Sequence, residues 1–331
     1  MYPDISVLPQ LSTYFGVSVD ALLGLVPLEQ EYRPSDSGTV QYWEKRLEYL
    51  RRTRKTMWNE DYMNFLIKDV WKIDKPLTVL DCGCGYGFLG LMIMPLLPKG
   101  SKYAGIDFSG TMIEAAKENY RATDIDARFI VSDIMQYRTN ERYDMVISQA
   151  VLRHVDNGEA VLKRMAGFVR DGGILVSMEC NREFEAAGLY IHGMDYNKLC
   201  RHDGLEKLWQ TELENQNRDY SIAMKIPHYM KAAGFKNVSC RMNDRVTFLE
   251  PEQQDYSDML ECTIMKDHWS DEKTDKEIEE NISYFMNHGM SRKEAEDYCR
   301  QQNGIVAYLK KHRGEVALTQ FTGIMISYGW K

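Results

Sequence analysis

Val79-Leu80-Asp81-Cys82-Gly83-Cys84-Gly85-Tyr86-Gly87-Phe88-Leu89-Gly90 is the stretch on which the reading of this chain turns. An apolar run from Leu77 to Leu80 reads as a buried strand that ends on an acid, Asp81. Glycine then recurs at every second position, and an apolar helix begins. Glycine admits positive φ and lets a ligand approach bare backbone. The helix start behind it offers unpaired N–H groups to an anion. The segment is therefore a strand–turn–helix cradle for a small nucleotide-like cofactor, built from Asp81, Gly83, Cys84, Gly85 and Gly87.

The string Gly85-x-Gly87-x-x-Gly90 also satisfies the dinucleotide fingerprint, which keeps an NAD-linked oxidoreductase among the alternatives. Asp81 argues the other way. A carboxylate there would face two phosphate charges in a partly dry site, a repulsion of several kcal/mol at an effective dielectric of about 20. S-adenosylmethionine (SAM) carries an ammonium and a sulfonium and no phosphate, so charge favours it. Downstream acids fall where such a guest needs them. Tyr103 to Asp107 reads as a second strand ending in an acid 22 residues after Gly85, placed to accept both ribose hydroxyls, with Phe108 beside it. Arg128 to Asp133 reads as a third strand. Its acid can accept from the adenine amine while Ile134 and Met112 cover the ring. Tyr143 to Ser148 is a fourth strand leading into Gln149, which closes the proposed cofactor set. Gly173 to Glu179 is a fifth, after the turn Asp171-Gly172-Gly173.

Residues 75–180 with these landmarks in order resemble a class I SAM-dependent methyltransferase. The resemblance rests on Asp81-x-Gly83-x-Gly85-x-Gly87, Asp107, Asp133, Tyr143-Asp144 and the Asp-Gly-Gly turn. It implies an α/β, Rossmann-like, seven-stranded and mostly parallel sheet with an antiparallel last strand. It also implies methyl transfer from SAM, with S-adenosylhomocysteine (SAH) as product, and leaves the acceptor open.

With 331 residues, 27% charged and 44% hydrophobic, the chain reads as a soluble globular protein, and a cytoplasmic one. A formal charge of −8 speaks against a general nucleic-acid binder. The longest apolar run, Phe88 to Leu97, is too short to span a bilayer. Seven scattered cysteines form no disulfide framework, and no His, Cys or Asp cluster has metal-ligand spacing, so no metal is expected.

The chain divides into a helical N-terminal segment and linker (1–38), a SAM-binding core (39–250) with a cap insertion near 181–220, a charged helical insertion (251–316) and a last strand (317–331). The first 25 residues read as two short helices joined at Gly16. They resemble the last helices of an Xre/Cro-type helix-turn-helix domain, which raises the alternative of a SAM-binding regulator. Val40 to Asn59 is helical and basic, with Lys45, Arg46, Arg51, Arg52, Arg54 and Lys55 read as a solvated face. Tyr42, Trp43, Trp58 and Tyr62 are candidates to cover the methionine end of SAM. Phe235 to Val246 reads as one strand and Ala317 to Gly329 as another, pairing with it at the sheet edge. The insertion between them is either a lid over the crevice or a surface for a second copy in a homodimer.

Methyl transfer is an in-line displacement in which positioning alone supplies roughly 7–11 kcal/mol. The acceptor is expected to be a small-molecule metabolite methylated at O or N. A hydroxyl or protonated amine also needs a base poised near neutrality. His154, after the fourth strand, is the best-placed imidazole, and Glu179 closes the fifth. Arg182, Tyr190, His192 and Tyr196 are the candidates to hold the acceptor.

Overall fold

The computed structural model describes residues 37–54, 56–200, 202–216 and 218–331, with residues 7–10, 19 and 23 near the N-terminus. Apart from residues 7–10, 19 and 23, the stretch 1–25 on which the helix-turn-helix reading falls lies outside the described residues. Helices α1 (Ser37–Glu44) and α2 (Leu47–Arg54) lead to α3 (Glu60–Phe65), which passes into a π-turn at Leu66–Val70. The alternating core follows: β1 (Thr78–Cys82), α4 (Phe88–Ile93), β2 (Lys102–Asp107), α5 (Gly110–Tyr120), β3 (Ala127–Val131), β4 (Tyr143–Gln149), α6 (Gly158–Ala166) and β5 (Val169–Cys180).

These strands form because their apolar side chains are covered on both faces, the usual condition of a parallel sheet. Val79, Leu80, Ile106, Met145, Val146, Ile147, Leu175 and Val176 are all buried. Side-chain caps start the helices between them: Ser109 accepts from the Met112 N–H, and Asn157 from the Ala160 N–H.

Beyond β5 lie α7 (Arg182–Ala187), β6 (Leu189–Ile191), α8 (Tyr196–Cys200), α9 (Leu205–Gln216), α10 (Ile222–Ala232), β7 (Lys236–Met242) and β8 (Val246–Leu249). The charged insertion holds α11 (Tyr256–Lys266), α12 (Asp275–Asn287) and α13 (Arg292–Lys311). Reciprocal capping boxes, Thr274 with Glu277 and Ser291 with Glu294, start the last two. β9 (Leu318–Phe321) and β10 (Ile324–Trp330) complete the chain.

The large sheet has the order β3-β2-β1-β4-β5-β10-β7, parallel except for β10, which runs antiparallel to both neighbours. This is the expected architecture. As expected, the last strand pairs antiparallel with β7 at the sheet edge. Two details differ. The strand expected at 235–246 stops at Met242, and the one expected at 317–329 is broken. β8, which begins after the first break, and β9, which ends before the second, join β6 in a second sheet, β6-β9-β8. Gly323, at φ +66°, turns one chain from the small sheet into the large one. An Asn243 side chain accepting from the Arg245 N–H turns the other. The breaks lie side by side, joined by the Asn243 N–H donating to the Ile324 carbonyl at 2.8 Å. Residues 181–220, which show no strand in sequence, also contribute β6, too short at three residues to leave a periodic signal.

Among the described residues no helix is long and apolar enough to cross a membrane.

Candidate active site

β1, the glycine loop and α4 form the expected cradle at the carboxyl end of the sheet, the edge where open α/β folds bind ligands. Gly85 adopts φ +52°, and a Cβ built on it would meet nothing within 4 Å, so the loop opens there onto free space. Gly87 is closed: at φ +82° its Cβ would lie 2.7 Å from the Tyr120 ring, and the Tyr120 hydroxyl donates to its carbonyl at 2.9 Å. β2 ties the loop down. The Ile106 carbonyl accepts from the Gly83 and Cys84 N–H groups at 2.8 and 3.0 Å. Asp107 accepts from the Gly85 N–H with Oδ2 and from the Ser109 N–H with Oδ1, both at 2.9 Å. Burial raises the Asp107 pKa, and these two N–H groups hold it back.

At the end of β4, Gln149 keeps its Nε2 buried without a hydrogen-bond partner, a donor left for a ligand. Ala150 follows at φ +54°, an unusual value for a side chain larger than glycine. Glu179 holds the chain beyond it, its Oε1 accepting from Val151 and Leu152 N–H groups at 2.8 and 2.7 Å. The orphaned Gln149 donor, the open face of Gly85 and the acids Asp107 and Asp133 suit an adenosyl ligand.

Helices α1 and α2 are fastened to this cradle. Glu44 accepts from the Thr111 hydroxyl at 2.8 Å, and the Leu50 carbonyl accepts from the Tyr86 hydroxyl at 3.2 Å. Tyr86, Leu50 and Met112 form a small core, with Trp43 packed against it. Behind these helices is a cavity of about 410 Å³. Its aromatic and apolar wall includes Trp43, Tyr49, Leu189, Leu205, Trp209, Trp269, Phe285 and Tyr298. Its charged groups are Arg46, Arg54, Arg153, Arg182 and Lys266 against Glu185 and Asp267, with His154, His202 and His268 also on the lining. Lys266 to Trp269 close α11, so the charged insertion builds part of the wall, and the Lys266 carbonyl accepts from the Tyr49 hydroxyl at 3.3 Å.

A family model described as "Methyltransferase domain" matches residues 73–225. Residues 73–225 are a methyltransferase domain. Among curated proteins, the chain is 32% identical over 120 residues to a ubiquinone biosynthesis O-methyltransferase of Rhodopseudomonas palustris (strain BisB18), covering 36% of this chain and 46% of that protein. It is 35% identical over 122 residues to the corresponding protein of strain TIE-1, with the same coverage. The chain thus spans just under half the length of the curated relatives it matches. Among solved structures, Haemonchus contortus phosphoethanolamine N-methyltransferase 2 in complex with S-adenosyl-L-methionine shares 15% identity. That alignment covers 92% of this chain and 62% of that one at a TM-score of 0.47. The [4+2]-cyclase SpnF shares 13% identity over 89% of this chain and 97% of that one at 0.48.

The methyltransferase domain brings most of the expected cofactor residues to one edge. Gly85, Asp107, Phe108, Asp133, Ile134 and Gln149 lie at the ends of β1 to β4 or on the turns that follow, and Met112 in the first turn of α5. Asp133 accepts from the Met135 N–H at 2.8 Å, and Ile134 and Met112 are buried. Cys82 and Cys84 are buried thiols whose pKa values burial pushes far up. Asp81 differs from expectation. Only 1% exposed, it takes the Tyr103 hydroxyl at 2.6 Å, and burial raises its pKa to about 7. At neutral pH it is divided between acid and carboxylate, so the like-charge argument against a pyrophosphate loses most of its force. The match of residues 73–225 to a methyltransferase domain, not that charge, now carries the cofactor assignment.

The catalytic and acceptor candidates fare differently. His154 lines the cavity and meets Trp43 edge to face, with ring centroids 5.0 Å apart. Burial and the cations Arg153, Arg54, Arg182 and Arg218 hold its pKa well below 6.5, and its Nε2 accepts from the Arg153 Nε–H at 3.1 Å. With its lone pair so engaged, the imidazole orients Arg153 rather than accepting a proton from the acceptor. Glu179 is fully buried; its Oε1 braces the post-β4 chain, and its Oε2 is buried without a hydrogen-bond partner. Arg182 is on the cavity wall. Tyr190, His192 and Tyr196 are not. The two-residue period of β6 sends Leu189 and Ile191 inward and leaves Tyr190 exposed, where its hydroxyl lies 3.3 Å from His192 Nδ1. Tyr196 is also exposed, with its ring 6.2 Å from that of Tyr190.

Of the four aromatics proposed as cofactor cover, Tyr42 and Trp43 line the cavity. Trp58 and Tyr62 belong instead to the core beneath the sheet. Sequence reasoning missed Arg46, Arg54, Arg153, Lys266 and Asp267. The usable signal was spacing: Arg46 and Arg54 lie four residues to either side of the buried Leu50, on the inward face of a helical segment.

Proposed function

We propose that this chain transfers the methyl group of SAM to an oxygen or nitrogen of a small-molecule acceptor held in the 410 Å³ cavity. The observation that carries the proposal is that one structure bounds both compartments. Leu50 accepts from Tyr86 of the glycine loop and also lines the cavity, as does its neighbour Trp43. A molecule on the inner side of α1 and α2 therefore lies against the wall that faces the cofactor crevice. The name carried by the curated relatives supports methyl transfer to oxygen.

SAM, when bound, supplies a methyl carbon made electrophilic by its positive sulfur. Asp107 holds the ribose, Asp133 the adenine amine, Ile134 and Met112 the ring faces, and Gln149 donates through Nε2. The aromatic wall excludes water and fixes the acceptor, where most of the rate gain arises. Asp267, on the cavity wall, accepts from Gln320 Nε2 at 2.9 Å, and burial raises its pKa. It meets the need for a proton acceptor better than the acid-shifted His154.

Incubating the protein with methyl-labelled SAM and metabolite extracts, followed by mass spectrometry, tests the reading. A labelled product whose yield falls in Asp107→Ala supports it. Uptake of SAM without label transfer to any small molecule, with the protein folded, contradicts it.

A further inference from the structure

An acidic chain, at −8, has gathered five cations and two carboxylates around one cavity. Both carboxylates already have a partner within the protein. Glu185 pairs with Arg182 at 2.6 Å, and Asp267 accepts from Gln320. Among the described residues, the remaining arginines make hydrogen bonds to neutral groups. Arg46 donates to the Tyr42 hydroxyl at 2.7 Å and lies 2.9 Å from His268 Nε2. Arg54 donates to the Met57 thioether at 3.1 Å. Arg153 donates to His154, and its buried Nη1 makes no hydrogen bond; its carboxylate neighbours are Glu185, at 3.8 Å, and the buried Glu179.

Arg54, half-buried against a thioether, is poorly compensated, because taking charge out of water is costly without an opposite charge beside it. Glu185 and Glu179 act on Arg153, whose Nη1 still has no hydrogen bond. The groups whose charges act most on Arg54 are Arg153, Cys180, Tyr49 and Tyr86, none of them a carboxylate. An oxyanion entering the cavity would supply the missing acceptors, and arginine forks suit carboxylate and phosphate oxygens best. The rest of the lining, Trp43, Tyr49, Trp209, Trp269 and Phe285, asks for a flat apolar body.

We infer that the acceptor is an oxyanion-bearing small molecule with an aromatic or otherwise apolar body, its carboxylate or phosphate received by Arg54 and Arg153. This inference rests on the methyl-transfer reading for what is done to that molecule, and on the cavity alone for its charge. It makes the cavity a filter: a neutral molecule of the same shape leaves the cations unmatched and binds weakly.

The experiment titrates the SAH-loaded protein with benzoate, phenyl phosphate and neutral benzyl alcohol, followed by tryptophan fluorescence and calorimetry. At least one of the two anions should bind about tenfold or more tightly than the alcohol, the value of one charge-assisted hydrogen bond. Preference between the anions identifies carboxylate or phosphate as the natural group. Arg153→Met and Arg54→Met should each weaken the anion about tenfold or more while SAH affinity stays within threefold. Equal binding of anion and alcohol by the unaltered protein overturns the inference, whether or not either variant folds. So does unchanged anion affinity in both folded variants. Anion binding without SAH binding would leave this inference standing and remove the methyl-transfer reading.

Discussion

Replacing Asp107 by asparagine separates the structural from the cofactor role of one carboxylate. Its two oxygens each take a backbone N–H, Gly85 at one and Ser109 at the other, both at 2.9 Å. Asparagine keeps one acceptor and turns an NH2 toward the second N–H, which is left buried and facing a donor. That loss costs about 1–3 kcal/mol. Burial opposes the charge that the substitution removes, so part of the cost is returned and the net sits toward the lower end. At 2–4 °C per kcal/mol for a large domain, the melting temperature should fall by about 2–6 °C. The cofactor loss is larger. Without the charge, pairing with two ribose hydroxyls weakens by about 1.5–3 kcal/mol, or roughly 10- to 150-fold in the SAH dissociation constant. Calorimetric titration with SAH and scanning calorimetry of the same preparations measure both quantities. SAH affinity within twofold of the unaltered protein, with the melting shift present, would show that Asp107 only braces the loop and would refute the ribose assignment.

The two loop glycines should part company. Gly85→Ala meets open space and should cost about 1 kcal/mol for its positive φ while lowering SAH affinity at least tenfold; Gly87→Ala also drives a methyl into the Tyr120 ring and should cost about 2–4 kcal/mol. Equal losses of stability in urea denaturation would contradict that geometry. Asp81 predicts a pH dependence. Its folded pKa of about 7 lies above the ordinary 3.8, so the folded state binds more protons between these values and stability falls as pH rises through that window, levelling off above it. The full span is on the order of 4 kcal/mol. Asp81→Asn removes that slope, so its stability advantage over the unaltered protein should widen from pH 4 to 7; a constant gap would mean that Asp81 is not buried as described.

What sequence could read here was whatever is local and periodic. The order of β1 to β5 followed from apolar runs, terminal acids and glycine turns, all within a few residues of one another. The breaks in the last strands were hidden because Thr322-Gly323 and Asn243-Asp244-Arg245 interrupt otherwise continuous β-prone runs, and only a second sheet gives the interruption a purpose. Asp81 was misjudged because a strand-end acid looks the same in sequence whether it faces a ligand or a tyrosine hydroxyl from the next strand. The cavity was the least legible part. Its cations come from the turn between α1 and α2, from α2, from the turn after β4, from α7 and from the end of α11, so their meeting depends on packing across more than 200 residues of sequence separation, as between Arg46 and His268. Read one segment at a time, each arginine looks like an ordinary surface charge.

The central claim is that the crevice beside Gly85 and Asp107 holds an adenosyl sulfonium and not a dinucleotide. Titrating the purified chain with SAM, SAH and NAD+ in parallel measures it directly. The account predicts one saturable site for SAM and SAH, weakened in Asp107→Asn, and no competition by NAD+. Saturable NAD+ binding that SAM cannot displace would contradict it.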